Sequence, residues 1–546
     1  MRLNSTPRDG ELMSTSSFLK LTSSVIGIAL AMLLGACATT PEPPADPIPL
    51  FASTFAPSGY PELSDYPEIL EIIDESEDAW AAAGDLPNEA RQTNSSIQTR
   101  RAATAAHATI LLGKAAYIEP LVRPFSTLKA LYSLVIKSTA SFARRMTIGT
   151  VQFARLDDDP IPEVRQGPGM DLEAWEAELD QLAGTATRGT VRFLIDGPEF
   201  FPRLIETIEE AEESIDIRTY IFDNDDYAVS IADMLRERAE EVDVRVLLDG
   251  IGALLGTQVD PEGMPADFRP PISMPSYLER GSNVRVRTSG NPWLTGDHTK
   301  STIIDGKVAF LGGMNIGREY RYTWHDLMVE VSGPIVDVLQ RDLDIAWSKA
   351  GWLGDAAMLV RWMRSARQRA DNVGDPVRVL VTRDHDSQIY RAKLAAIRRA
   401  QSFIYIENSY FSDDTILLEL AKARRRGVDV RVILPADGNH APLNYSNQVA
   451  INVMLRNGIR VYLYPGMSHV KAAIIDGWAI VGSANFDKLS LQINEELNIA
   501  TSSPEAVVDL MERVFLADFA ISEELDSAVD LNWTHRFAEF ISDEIL

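Results

Sequence analysis

The sequence predicts an α/β protein made of two copies of one half, closing around a single active site, behind a mainly helical N-terminal region. Three observations lead there. Short β-branched runs alternate with helical stretches of roughly 10 to 15 residues after Gly189. That pattern recurs at a fixed offset, and each copy carries one His-x-Lys-x4-Asp sequence.

The bulk numbers suit such a protein. At 546 residues, 45% hydrophobic and 24% charged, the chain has apolar content for two or more cores. A formal charge of −27 repels a polyanion at long range, so nucleic acid is not expected as a partner. The single cysteine, Cys37, excludes a disulfide framework and any multi-cysteine metal cluster.

In chain order, residues 1–37 read as a lipoprotein signal peptide. Lys20 precedes a short apolar run, Val25 to Leu34, and Leu34-Gly35-Ala36-Cys37 resembles a bacterial lipobox, which predicts lipidation of Cys37. The run is short for a membrane span, although an uncleaved anchor with an incidental cysteine is the alternative. Either reading puts the protein at a membrane. The opening MRLNSTPRDGEL contains two acids and suits a signal start poorly, which makes Met13 a second candidate initiator. Residues 38–60 form a Pro-rich spacer able to hold a domain off a surface. Ala38, rather than Asp, follows the cysteine and resembles outer-membrane lipoproteins. The expected location is therefore the bacterial cell envelope, lipid-anchored in the outer membrane and facing the periplasm.

Residues 61–185 are predicted to be a helical region without a catalytic signature. Between Thr99 and Arg155 nine Arg or Lys face one acid, Glu119. The same stretch holds ATILLGKAAYI and LKALYSLVI. A helix lying on an anionic lipid surface has this composition. So does a helical hairpin whose basic face packs against the acidic catalytic body.

The two halves are expected at 186–375 and 376–546. VRFLIDGPEFF, DIRTYIF and VDVRVLLDG in the first are echoed by VRVLVTRDHDS, FIYIENSYF and VDVRVILPADG in the second. Val191 to Val377 and Val242 to Val428 both give an offset of 186. Such a period marks a duplicated domain rather than a solenoid. Alternating strands and helices predict a largely parallel sheet in each half.

The last motif of each half carries the chemistry. It reads HTKSTIIDGKVAFLGGMN from His298 to Asn315 and HVKAAIIDGWAIVGSAN from His469 to Asn485. Residues two apart on a strand share a face, so His298 with Lys300, and His469 with Lys471, offer an imidazole and an ammonium to one phosphate. Asp305 and Asp476 fall at odd spacing and precede Gly, a hairpin signal, which makes them turn and support residues rather than proton carriers. The amides of Asn315 and Asn485 are candidate phosphate donors. Asp326 and Glu496 follow the histidines by 28 and 27 residues and are candidates to accept a ring N–H.

These residues resemble the phospholipase D superfamily, over nearly everything from about Gly189 to Phe540, and GGMNIGREY is most similar to bacterial cardiolipin synthase-like phosphatidyltransferases. The resemblance implies a duplicated phospholipase D-like α-β-α sandwich. It implies a catalytic set of His298, Lys300, Asp305, His469, Lys471 and Asp476, and a phosphohistidine intermediate with His298 as nucleophile and His469 as acid and base. The residues alone do not break that symmetry.

No cofactor and no metal are expected: a protonated lysine cannot ligate, and HExxH, cysteine pairs and carboxylate-rich loops are missing from the sequence. The expected partner is a membrane phospholipid such as phosphatidylglycerol. A hydrolytic phospholipase D, a nuclease and an inactive membrane scaffold are the rival readings. His107, His325, His385, His440 and His535 are read as surface or local structural residues, with His325 set apart by its neighbour Asp326.

Overall fold

The structure is a computed structural model that describes residues 111, 113–132, 156, 160–255, 264–265, 267–291, 295–363, 374–383, 386–439 and 441–531. The signal segment with Cys37, the spacer 38–60 and most of the basic stretch lie outside the described residues, as do His107, His385, His440 and His535.

Before the first half come a helical turn at Lys114–Ile118 and helices α1 (Glu119–Val122), α2 (Pro124–Leu131) and α3 (Leu172–Ala183). The first half contains β1 (Thr187–Ile195), α4 (Asp196–Glu209), β2 (Ser214–Thr219), α5 (Asp226–Arg238), β3 (Asp243–Leu248), β4 (Arg285–Thr288), β5 (Ser301–Ile304), β6 (Val308–Gly312) and β7 (Leu327–Ser332). Helices α6 (Ile335–Lys349) and α7 (Gly354–Met363) link it to the second half. There follow β8 (Asp375–Arg383), the short β9 (Asp386–Ser387), α8 (Gln388–Arg399), β10 (Phe403–Asn408), α9 (Asp414–Arg425), β11 (Asp429–Pro435), α10 (Ala441–Arg456), β12 (Arg460–Tyr464), β13 (Lys471–Ile475), β14 (Trp478–Gly482), β15 (Glu496–Thr501) and β16 (Glu523–Glu524).

The duplication appears directly in the sheet. The first half runs β1-β7-β6-β5-β2-β3-β4, and the second repeats that order as β8-β15-β14-β13-β10-β11-β12. β1 and β8 pair antiparallel, Thr187 opposite Val377, and join the halves into one continuous sheet.

The expectation of a largely parallel sheet is corrected. Among the named strands of the described residues, only the β2-β3-β4 and β10-β11-β12 ladders are parallel; the other strand ladders are antiparallel. The reason is local. The motif strands turn back at Asp305-Gly306 and Asp476-Gly477, and a tight hairpin can join only antiparallel neighbours.

Strands buried on both sides follow a period of two. Ile303 enters a core shared by both halves, whereas Ile304 enters the core of the first half alone. In β13, Ala472 and Ile474 join the shared core, and Ala473 and Ile475 the second half's own. Helix α3 precedes the first half in sequence yet packs in the second half's core: Trp175 meets Trp478 edge-on at 5.2 Å. Among the described residues, no helix is long and apolar enough to cross a membrane.

Candidate active site

Each histidine is stitched to the other half before its side chain is considered. The His298 N–H donates to Glu495 O at 2.9 Å, and the Glu495 N–H donates to Gly296 O at 2.9 Å. At the equivalent place the His325 N–H donates to Met467 O and the His469 N–H to His325 O, at 3.1 and 2.6 Å. These two short parallel bridges carry the next residues, Glu496 and Asp326, to the facing histidine.

The result is a reciprocal exchange. His298 Nδ1 lies 3.0 and 3.1 Å from the two carboxylate oxygens of Glu496, and His469 Nδ1 lies 2.7 Å from Asp326 Oδ2. The matched spacings of 28 and 27 in sequence therefore describe equivalent positions, and each pair forms across the halves. A carboxylate on Nδ1–H fixes the tautomer and turns His298 Nε2 outward as the basic nitrogen. Burial pulls the His298 pKa below its ordinary value, opposed by Glu496, so the ring is neutral at neutral pH. Burial pushes Asp326 up to about 7, opposed by Lys471.

The lysines sit beside their histidines. Lys300 Nζ donates to His298 O at 2.8 Å, and Lys471 Nζ donates to His469 O at 2.6 Å and to Ser409 Oγ at 3.0 Å. Burial lowers Lys300 to about 7 and Lys471 to about 8. Lys300 is acted on electrostatically by Glu496, Lys471 and Asp326, so both motifs occupy one site. A third buried ammonium, Lys393 of α8, lies 3.7 Å over the Phe486 ring, and burial lowers it to about 7.

Asp305 and Asp476, grouped by motif with the catalytic set, stand elsewhere. Strand β5 pairs Ser301 with Arg218 at one end and Ile304 with Ile215 at the other, and Asp305 lies past the second end, away from His298. Its carboxylate accepts the N–H groups of Glu212, Glu213 and Ser214. Asp476 accepts those of Gln401, Ser402, Phe403 and Met170. Both have φ of 53°, with Gly306 at 58°, as a primed hairpin turn requires. Each stands seven positions after its histidine, about 23 Å if extended, and these backbone contacts suit the turn and support role of the two aspartates.

The asparagines differ. Asn315 accepts the Ile221 N–H at 3.0 Å and donates to the Tyr320 hydroxyl at 2.7 Å, holding two first-half segments together. Asn485 is buried with no protein donor on Oδ1. The residues between motif strand and asparagine also diverge for a reason. A Cβ on Gly313 would collide with the Asp326 carboxylate, whereas Ser483 uses its hydroxyl to donate to Glu496.

Several contributors have no motif in sequence. Tyr220 meets the His298 ring at 4.9 Å, and Tyr320 and Trp324 meet His469 at 5.7 and 5.3 Å. The only available signal was Tyr220 and Tyr410 recurring near the ends of equivalent strands. Arg218, almost fully buried, donates to Asp297 at 2.7 and 2.8 Å, to Asp342 at 2.8 Å and to Glu495 at 2.7 Å. Lys349 adds a 2.5 Å bond to Glu495. Against burial, Lys349, Arg383 and Arg218 hold Glu495 well below the carboxylate range. This network locks the segment that presents His298.

His325 is the donor to consider for a metal. Its Nδ1 lies 2.8 Å from Asp196 and its Nε2 3.1 Å from Asp518, and the ligand atoms of His325, Glu407 and Asp518 lie within 4.8 Å of one another. Against burial, the hydrogen bonds to Asp196 and Asp518 raise its pKa well above the usual value. Its ring nitrogens serve those acids while its carbonyl accepts the His469 N–H.

The chain is similar to known proteins in sequence and in fold. A family model described as "Cardiolipin synthase, PLD-like domain" matches residues 204–347 and 394–519. A probable cardiolipin synthase of Bacillus subtilis, YwiE, is 29% identical over 354 residues, covering 62% of this chain and 68% of that protein. A cardiolipin synthase of Listeria welshimeri is 30% identical, covering 61% and 70%. Among solved structures, phosphatidylserine synthase of Haemophilus influenzae matches 73% of this chain and 100% of its own, with a TM-score of 0.51 at 15% identity. That last likeness is one of fold.

Proposed function

The chain belongs to the phospholipase D superfamily of enzymes, in its cardiolipin synthase-like branch, and from that premise we propose phosphatidyl transfer between membrane phospholipids through a phosphohistidine. The donor is a phosphatidylglycerol-like lipid and the preferred acceptor a second lipid's hydroxyl. The observation that carries the reading is the exchanged pair of His–carboxylate contacts around two buried lysines.

A phosphodiester resists displacement because its anionic oxygens repel nucleophiles and its alkoxide leaves poorly. In the proposed sequence Nε2 of His298 attacks phosphorus, a P–N bond forms, and the P–O bond to the departing glycerol breaks. His469 supplies that alcohol with a proton, an effect worth about 10²- to 10⁴-fold. It then removes a proton from the acceptor hydroxyl, whose oxygen attacks phosphorus and releases His298. Lys300 and Lys471, with Asn485 nearby, offset the charge spreading over the phosphoryl oxygens. The nucleophile's assignment to His298 follows the family resemblance, and its depressed pKa favours the role.

Anchoring through lipidated Cys37 in the envelope belongs to the same proposal, since it would hold the enzyme where its substrate is. Replacing Cys37 by Ser should release the protein from membranes. The reaction is tested by incubating the chain, with and without His298→Ala, with phosphatidylglycerol vesicles and identifying products by mass. Cardiolipin and glycerol from the parent alone support transfer. Phosphatidate alone means that water is the acceptor, and unchanged lipid refutes both.

A further inference from the structure

Helices on the surface of a water-exposed protein bury apolar side chains and expose polar ones. Residues 114–132 do the reverse. Toward the protein they bury Ala115, Glu119, Arg123, Ser126, Thr127 and Ala130. Arg123 pairs with Glu119 and donates to the carbonyls of Lys349 and Gly351, at 2.9 and 3.2 Å. Asp355, in the first turn of α7, accepts the N–H groups of Phe125 and Ser126 at 2.8 and 3.0 Å, and the Ser126 hydroxyl. The polar face is pinned to the catalytic body.

The outward face is apolar. Tyr117, Leu121, Phe125, Leu128 and Tyr132, spaced by four, four, three and four, are 78%, 83%, 66%, 65% and 54% exposed. Trp352, 84% exposed, and Leu353 extend the patch just before α7. We propose that this face docks on an anionic phospholipid bilayer, with the stripe lying in the plane of the interface and its side chains among the upper acyl chains.

Charge selects the occupant. In a chain of net charge −27, this segment lies within the stretch from Thr99 to Arg155 where nine basic residues meet one acid. That acid, Glu119, is paired internally with Arg123, which leaves Lys114 and Lys129 to meet lipid phosphates. The position also fits the lipid-substrate reading, on which the biological purpose rests. A Cβ on Gly290, eight residues before His298, would collide with Glu119 and Arg123, so α1 sits directly against the segment leading into the first motif. Docking would therefore bring that edge of the site to the lipid surface.

The test uses the full chain with Cys37→Ser, which removes the only cysteine, so that Leu128→Cys can carry an environment-sensitive dye. On phosphatidylglycerol vesicles the dye should shift to the blue and be quenched by acyl-chain nitroxides, whereas a dye at Glu237→Cys, exposed on α5, should not respond. This reports local depth whichever other segment holds the chain to the vesicle. Leu121→Asp with Phe125→Asp should lower turnover of vesicle lipid about tenfold or more, while turnover of dispersed short-chain lipid is unchanged. A dye that stays in water, or vesicle turnover unaffected by the aspartates, overturns the proposal. So does a lipid-free dimer that the same aspartates dissociate, because the face would then join two copies. Insertion of the dye without any phosphatidyl transfer would sink the proposed reaction and leave the docking face standing.

Discussion

His298 takes its carboxylate partner from 198 residues further along the chain: its Nδ1 lies 3.0 Å from Glu496 Oε1, while Asp326 reaches back to His469 at 2.7 Å. Neither motif histidine takes its acid from its own half. A single phosphodiester centre requires both halves to be folded together, and the β1–β8 seam and the two backbone bridges keep them so.

Glu496→Gln and Asp326→Asn should each lower kcat by about 10²- to 10⁴-fold, because an amide cannot fix the reactive tautomer. KM should move little. Steady-state kinetics on vesicle lipid decides it, and undiminished kcat in either variant would remove the exchanged pairs from the mechanism.

The motif aspartates should behave oppositely. Asp476→Ala, which orphans four backbone N–H groups, and Asp305→Ala, which orphans three, should each cost about 1–3 kcal/mol of stability and leave kcat within a few-fold. Denaturant titration beside turnover checks this. A stable but inactive variant would return these residues to the chemistry.

Binding of inorganic phosphate or tungstate should draw protons from solvent at pH 8. Lys300 near 7 and Lys471 near 8 are largely or half deprotonated there, and an anion between them favours the ammonium forms. Calorimetry in two buffers of different ionisation enthalpy reads the uptake; proton release would contradict the placement. The sign for the ligand-free protein is reversed. The unfolded state binds more protons than Lys300 does from about 7 up to 10.5, so this group's contribution to stability rises with pH across that window.

The acid side of the activity profile should carry two groups. Asp326, pushed up to about 7, must be ionised to hold the His469 N–H, so kcat/KM should begin to fall near 7. Burial lowers the His298 pKa from 6.5, and only the neutral ring can attack, so in Asp326→Asn the remaining acid limb should lie below 6.5. A limb at or above 6.5 in that variant would argue against His298 as nucleophile.

Arg218→Met should destabilise the chain by about 3–5 kcal/mol, because Asp297, Asp342 and Glu495 would be left facing one another with Arg218 gone. Thermal or denaturant unfolding measures it. A neutral result would mean that Lys349 and Arg383 suffice to hold the network.

The sequence by itself determined what depends on near neighbours. The period of two put His and Lys side by side, Asp-Gly marked the hairpin, and the 186-residue offset revealed the duplication that the strand order repeats. Tertiary structure alone decided that the acids exchange partners, that the halves share one mostly antiparallel sheet, and that residues 114–132 present their apolar side outward. Local periodicity shows which side chains share a face but not what that face meets. Contacts between residues nearly 200 positions apart depend on how two similar halves dock, and equivalent acids at equivalent spacings read the same whether each serves its own histidine or the other's.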